Sequence, residues 1–171
     1  MTVISPGRGT GHQEPALTIR QARGIDGPAI AELRALWCSG AAPTRQFTGL
    51  MRTWLEAEGE PRITLMASTA DEPVGMISLL EYRGMPEPDG SQSRWGYLDH
   101  LFVTEDHRGQ GIGTTLITQT MAIADHRSYG RILVSPNAAA LPLFDRLGFA
   151  MLDELGPDGI ILWRQNPRLP L

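Results

Sequence analysis

Arg108-Gly109-Gln110-Gly111-Ile112-Gly113-Thr114-Thr115 sets three glycines at alternate positions, after the apolar run Leu101-Phe102-Val103 and before a helix-forming stretch. Glycine is costly inside a rigid element, so a cluster at a strand-to-helix junction lets the backbone approach something closely. A helix N-terminus offers four unpaired amides and a partial positive charge. Glycines ahead of it let phosphate oxygens reach those amides without meeting side chains. Arg108 adds a charge-assisted contact, and the Thr114 or Thr115 hydroxyl a further donor. The pattern suits a phosphate-bearing ligand. A tight turn whose glycines serve chain geometry alone is the alternative.

Two familiar phosphate loops do not fit. A nucleotide P-loop ends in Gly-Lys-Ser/Thr, and Thr114 follows Gly113 here. The dinucleotide fingerprint G-x-G-x-x-G puts its last glycine on Thr114 when read from Gly109, and on Leu116 when read from Gly111. The acidic ribose partner expected about twenty residues on is also missing, where Leu133-Val134-Ser135-Pro136-Asn137 stands.

Several elements must position this turn. Alternation over residues 16–23 predicts a first strand, and Asp26 reads as a helix cap with Pro28 in the first turn. Ile30, Leu33 and Trp37 follow at helical spacing. Phe47, Leu50, Met51, Trp54 and Leu55 mark a second helix ending near Gly59. The spacing of Trp37 and Trp54 predicts core packing rather than a ligand box. Residues 62–69 and 73–82 read as strands, and a long Pro/Gly/Ser loop over 83–93 joins them to a strand at 94–103 as an extended hairpin. After the glycine turn come an apolar helix face (Leu116, Thr120, Ile123), a buried strand at 131–135 and a helix closed by Gly148. Residues 149–155 and 159–165 read as a closing strand pair around a Gly-Pro-Asp-Gly turn. The order β-α-α-β-β-β-α-β-α-β-β predicts one α/β domain with a mixed sheet over 16–171, behind a loose tail at 1–15.

The motif R-x-x-G-x-G, from Arg108 to Gly113, resembles that of the GNAT acetyltransferase superfamily. The resemblance runs from about Thr18 to Gln165. It takes in the strand ending Leu101-Phe102-Val103, the long helix, the short strand closing at Ser135-Pro136-Asn137, and Leu143-Phe144-Asp145-Arg146-Leu147-Gly148-Phe149. It implies an α/β (α+β) fold with a mostly antiparallel mixed sheet splayed between strands four and five, and helices on both faces. It implies acetyl-CoA as acetyl donor, its pyrophosphate on the amides around Arg108 to Thr114, Gly109, Gln110, Gly111, Ile112 and Gly113 included. The pantetheine arm would then lie along strand four and pair with main-chain groups of Leu101 and Val103, beside Phe102. That arrangement needs strand four to present unpaired N–H and C=O groups. Asn137 stands where the family often contacts the arm, with helix capping as the alternative reading.

By the same resemblance a substrate amine attacks the thioester carbonyl, and an amine with a pKa near ~10.4 must first lose a proton. Strict alternation puts Tyr97, Asp99, Leu101 and Val103 on one face of strand four, and Leu98, His100 and Phe102 on the other. Related enzymes often carry Glu or His at a position matching 97 or 99. Asp99 is therefore the expected base, with a structural or substrate-holding carboxylate as the alternative and Glu81 in reserve. Histidine exchanges protons near neutrality, yet parity sets His100 opposite Asp99 and favours packing or substrate lining. The family's usual tyrosine acid is replaced by Phe144, a position implied to face the coenzyme. The Ser135 hydroxyl or a water would stand in, or none is needed, since a thiol of pKa around 8.5 leaves tolerably as thiolate.

Bulk properties narrow the rest. At 171 residues, 42% hydrophobic and 20% charged, the chain can bury one core, and a net charge of −4 argues against general nucleic-acid binding. Cys38 is the single cysteine, so no intrachain disulfide forms; a reducing interior and ordinary packing are expected. No signal peptide, membrane span or metal-ligand spacing is evident, and a cytoplasmic location is expected. The leading expectation is an N-acetyltransferase for a small cationic amine, entering between residues 39–44 and the loop holding Glu87 and Asp89. A non-catalytic acyl-CoA sensor and transfer of longer acyl groups or to a protein amine are the alternatives. Exposed C-terminal edge strands would allow a homodimer.

Overall fold

The computed structural model describes residues 16–59, 61–152 and 160–168. The expected tail at 1–15 and the Gly-Pro-Asp-Gly turn lie outside the described residues. The elements follow the expected order. They are β1 (Leu17–Gln21), α1 (Gly27–Ser39), α2 (Arg45–Ala57), β2 (Arg62–Thr69), β3 (Glu72–Arg83), β4 (Arg94–Val103), α3 (Ile112–His126), β5 (Arg131–Val134), α4 (Leu141–Arg146), β6 (Ala150–Met151) and β7 (Leu162–Gln165). The strands make one seven-stranded sheet in the order β1-β2-β3-β4-β5-β7-β6. Each neighbouring pair is antiparallel except β4 and β5. A parallel neighbour needs a crossover, and α3 supplies it.

Each face of the sheet carries its own core. On one face Ile77, Leu79 and Leu98 pack with Leu116, Ile117 and Met121 of α3 and Phe144 of α4. On the other, Met66 and Met76 pack with Ile30 and Leu33 of α1 and Leu55 of α2. The two-sided burial explains why β2 and β3 read as continuous apolar runs rather than as clean alternation.

Two features of β4 set it apart from its neighbours. It pairs with β5 only through Trp95–Leu98, opposite Arg131–Val134, although it runs on to Val103. The backbone of residues 99–103 is therefore unpaired on that side, and the sheet is splayed between β4 and β5. Between the register pairs Ser78↔Asp99 and Met76↔Phe102, one residue of β3, Ile77, opposes two of β4, His100 and Leu101. That is a β-bulge, and His100 absorbs the extra residue with φ of 55°. Side-chain parity inverts across it. Asp99 shares the α1–α2 face with its partner Ser78, whereas Leu101 and Val103 pack toward the α3 core and Phe102 toward the α1–α2 core. The expected common face of Tyr97, Asp99, Leu101 and Val103 does not exist, because strict alternation fails at a bulge.

Candidate active site

The glycine turn is built as the sequence suggests. Gly109 and Gly111 have φ of 76° and 80°, and a Cβ at either would meet nothing within 4 Å. Backbone conformation, not crowding, requires glycine there. No side chain caps α3. Among the described residues, no amide from Gly109 to Thr114 bonds to another backbone group. Six free amides around a helix N-terminus make an anion cradle.

A groove of about 650 Å³ runs from this cradle along Leu101, Phe102 and Val103, walled opposite by Asn137, Ala140, Leu143 and Trp37. Gly109, Gly111, Ile112, Gly113 and Thr114 line it. Arg108 is exposed over the turn, its Nε donating to the Val103 carbonyl at 3.1 Å. The Gln110 side chain instead donates back to the Asp106 carbonyl at 3.2 Å and does not line the groove, so only its amide serves the turn. Thr115 donates to the Gly111 carbonyl at 3.1 Å, which leaves Thr114 as the hydroxyl on the groove. Asn137 Oδ1 accepts from the Ala140 amide at 3.0 Å, so the capping reading holds, and the residue lines the groove as well. Arg146 and His107 also reach the groove. Sequence spacing did not single out Arg146, because only the packing of α4 beside the turn brings it there.

The groove continues into a cleft of about 300 Å³ where β4 and β5 part. Tyr97, Asp99, His100, Ser135 and Phe144 line it, so Asp99 and Ser135 come together there as expected. Phe144 is the floor, 2% exposed and edge-on to Phe149 with ring centroids 5.2 Å apart. Ser135 Oγ donates to the Ile160 carbonyl at 3.3 Å. Burial and the Asp99 charge push the Tyr97 phenol up, against the pull of a hydrogen bond to Ser135, so it remains protonated at neutral pH. Tyr97 is a missed donor, hidden in the sequence because nothing in its spacing sets it beside Ser135.

Glu81 is a correction. It lies on the α3 face of β3, its side chain 3% exposed, with Oε2 accepting from the Tyr129 hydroxyl at 2.6 Å and Oε1 paired with Arg83. Burial pushes its carboxyl up, but the Arg83 and Tyr129 hydrogen bonds more than offset this and hold it low. It lines neither groove nor cleft and belongs to the core.

Asp99 and His100 form a pair, which corrects the expectation that parity separates them. Asp99 Oδ1 accepts from the His100 amide at 2.8 Å. Its Oδ2 lies 2.9 Å from His100 Nδ1, close enough for charge pairing but off the line of a formed hydrogen bond, and 3.8 Å from Arg62 Nη1. Burial pushes the Asp99 carboxyl up; His100 and Arg62 more than offset it and hold it below the usual range. A non-glycine residue at positive φ is sparsely populated and concentrates at functional sites. His100 is such a residue, and it lines a second cavity too.

That cavity, about 360 Å³, lies under α1 and α2 and is lined by Ile30, Arg34, Phe47, Leu50, Met51, Trp54, Arg62, Thr64, Met76, Ser78 and His100. Trp54 packs against the α1–α2 core as expected, and Trp37 does not. Trp37 is 41% exposed, stacks on Phe102 at 5.8 Å and walls the groove, and Trp54 lines this cavity. Neither the 39–44 linker nor Glu87 and Asp89 line it, so the expected acidic entrance is not where the space is. Cys38 is exposed rather than packed, and it lines none of these spaces. Among the described residues no cluster could hold a metal ion, and no helix is long and apolar enough to cross a membrane.

A splayed sheet thus leads from an anion cradle at the start of α3 to a carboxylate–imidazole pair. The acetyltransferase (GNAT) family model matches residues 29–149, and the chain belongs to that family. Acetyltransferase Atu2258 of Agrobacterium fabrum is 38% identical over 64 residues, 37% of this chain; the match spans only 47% of that protein's length. The solved structure of yncA from Salmonella typhimurium, with its cofactor acetyl-CoA, aligns at a TM-score of 0.69 and 19% identity, covering 91% of this chain and 97% of that one. The PaiA N-acetyltransferase of Thermoplasma acidophilum, in complex with coenzyme A, aligns at 0.63 and 14%, covering 88% and 99%. At those identities the two structures establish the fold.

Proposed function

We propose that this protein is an N-acetyltransferase, moving the acetyl group of acetyl-CoA to the primary amine of a small molecule within a ternary complex. The carrying observation is continuity: free amides at the start of α3 open into a groove along unpaired β4 backbone, which ends at Asp99 and His100. The residues suit the donor. The cradle amides and Arg108 take the diphosphate, Arg146 stands by as a further cation, and β4 offers main-chain groups to the pantetheine amides. Bound there, acetyl-CoA supplies an electrophilic thioester carbonyl. The single cysteine supports a cytoplasmic setting.

The amine enters from the α1–α2 cavity, which meets the cleft at His100. An ammonium near ~10.4 does not hand its proton outright to a carboxylate held below the usual carboxylate range. Asp99 instead holds the ammonium and orients His100, whose imidazole passes the proton to solvent. The freed lone pair forms the C–N bond as the C–S bond breaks, with that electron pair passing to sulfur. Tyr97 beside Ser135 donates a proton to the departing sulfur, and the second N–H proton leaves the nitrogen through the cleft to restore the phenol, so one proton in all is released to solvent. In this reading the amine end of the substrate is its cation.

Thiol release from acetyl-CoA, followed across an amine panel, tests the proposal. Asp99→Asn is expected to lower kcat/KM for the amine by about 10- to 100-fold, the loss of one charge-assisted contact. Donor affinity, read by calorimetry, should stay within twofold. Tight coenzyme binding with no turnover on any amine, unaltered in the variant, would instead establish a sensor.

A further inference from the structure

The α1–α2 cavity has a polarity that acetyl transfer by itself does not use. Its apolar wall includes Ile30, Phe47, Met51 and Trp54, while its polar wall carries Arg34, Arg62 and His100 and no carboxylate. Arg62 is the informative member. Its side chain is only 13% exposed, its Nε donates to Glu58 at 3.1 Å, and its guanidinium lies 5.2 Å from the centre of the Trp54 ring. Yet Nη1 is buried and makes no hydrogen bond. Asp99 Oδ2 is 3.8 Å away, beyond hydrogen-bond reach. His100 Nδ1, on the same wall, already has Asp99 Oδ2 at 2.9 Å. Buried polar atoms are nearly always partnered, so an unpartnered guanidinium nitrogen on a residue that lines this cavity marks where a ligand acceptor belongs. A guanidinium only donates, so its missing partner is an acceptor, and the charge and planar fork favour a carboxylate.

Resting on the N-acetyltransferase reading above, we propose that the acceptor is an α-amino acid with an apolar side chain. Arg62 receives the carboxylate, Asp99 receives the ammonium, and the space under α1 and α2 takes the side chain. Spacing carries the α assignment. Arg62 Nη1 and Asp99 Oδ2 stand 3.8 Å apart, so groups that engage both must be close neighbours, as an amine and a carboxylate on one carbon are. A plain amine leaves Arg62 Nη1 without an acceptor. A diamine brings a second positive charge against Arg34 and Arg62.

The test compares L-leucine, L-methionine and L-phenylalanine with their decarboxylated amines as acceptors for the full-length protein and acetyl-CoA. The amino acids are expected to show kcat/KM higher by about 10- to 100-fold, the range of one charge-assisted contact. Arg62→Gln should collapse that ratio toward one, and Arg62→Lys should keep part of it. If the variants do not fold, the ratio in the unaltered protein decides. In parallel, calorimetry on the coenzyme A-bound protein compares N-acetyl-L-leucine with N-(3-methylbutyl)acetamide. Turnover with plain amines equal or better overturns the proposal and leaves N-acetyl transfer standing. No turnover on any amine, with N-acetyl-L-leucine bound at least tenfold tighter, overturns acetyl transfer and keeps the carboxylate site. Absence of both overturns both.

Discussion

Gly113→Ala separates the two jobs of the glycine turn. Gly113 is the second residue of α3 and, unlike Gly109 and Gly111, has no positive φ. A Cβ there would sit 3.8 Å from Leu143 Cδ2 and 3.9 Å from Val103 Cγ2, ordinary contact distances. The free protein therefore accepts alanine without strain and gains about 0.5–1 kcal/mol of helix stability from the lost backbone entropy of glycine. At about 2–4 °C per kcal/mol for a chain of this size, Tm should rise by about 1–4 °C. Val103 and Leu143 are the two walls of the groove, however, so the new methyl stands in the path of the donor. Forcing the diphosphate off even one amide removes a contact to a charged group, about 1.5–3 kcal/mol, or about 10- to 100-fold in Kd. Differential scanning calorimetry and titration with coenzyme A read the two effects on one sample. A higher Tm with unchanged coenzyme affinity would refute the placement of the donor on these amides.

Other perturbations probe the remaining parts. Gly111→Val forces a β-branched residue to φ of 80°, an expected cost of about 1–3 kcal/mol, with coenzyme binding lost in calorimetry. Tyr97→Phe removes the phenol beside Ser135; kcat should fall by about tenfold or less, because a thiol near 8.5 leaves without full protonation, and the loss should shrink as pH rises. Asp26 is held low by its hydrogen bonds from Arg20, at 2.6 and 2.8 Å. The stability it contributes is present above 3.8 and lost as pH falls through the lower folded value, so Asp26→Asn should destabilise at pH 7 and by progressively less as pH falls below 3.8 in urea melts. Tyr129 is pushed up to about 12 by burial and by its bond to Glu81, and the stability it contributes is lost between its ordinary 10 and that value. Tyr129→Phe leaves a buried carboxylate one partner short, and chemical denaturation is expected to show about 1–3 kcal/mol less stability.

The sequence by itself determined the backbone-dependent parts. Gly109 and Gly111 are legible because few residues other than glycine adopt their conformation, and the element order is legible because burial periodicity is local. The anion cradle, the crossover through α3 and the unpaired end of β4 follow from those local signals and from the GNAT resemblance. Tertiary structure alone decided which side chains meet. One extra residue in β4 inverts parity at His100, and no pattern of apolar and polar residues encodes a bulge. That inversion joins His100 to Asp99, while the pairing of β3 with β4 fixes Glu81 on the α3 face beside Tyr129. Arg62 and Tyr97 became candidates only through partners about 30–40 residues away in the chain, Asp99 for one and Ser135 for the other. Electrostatic partnership is set by distance in space, which local sequence does not carry.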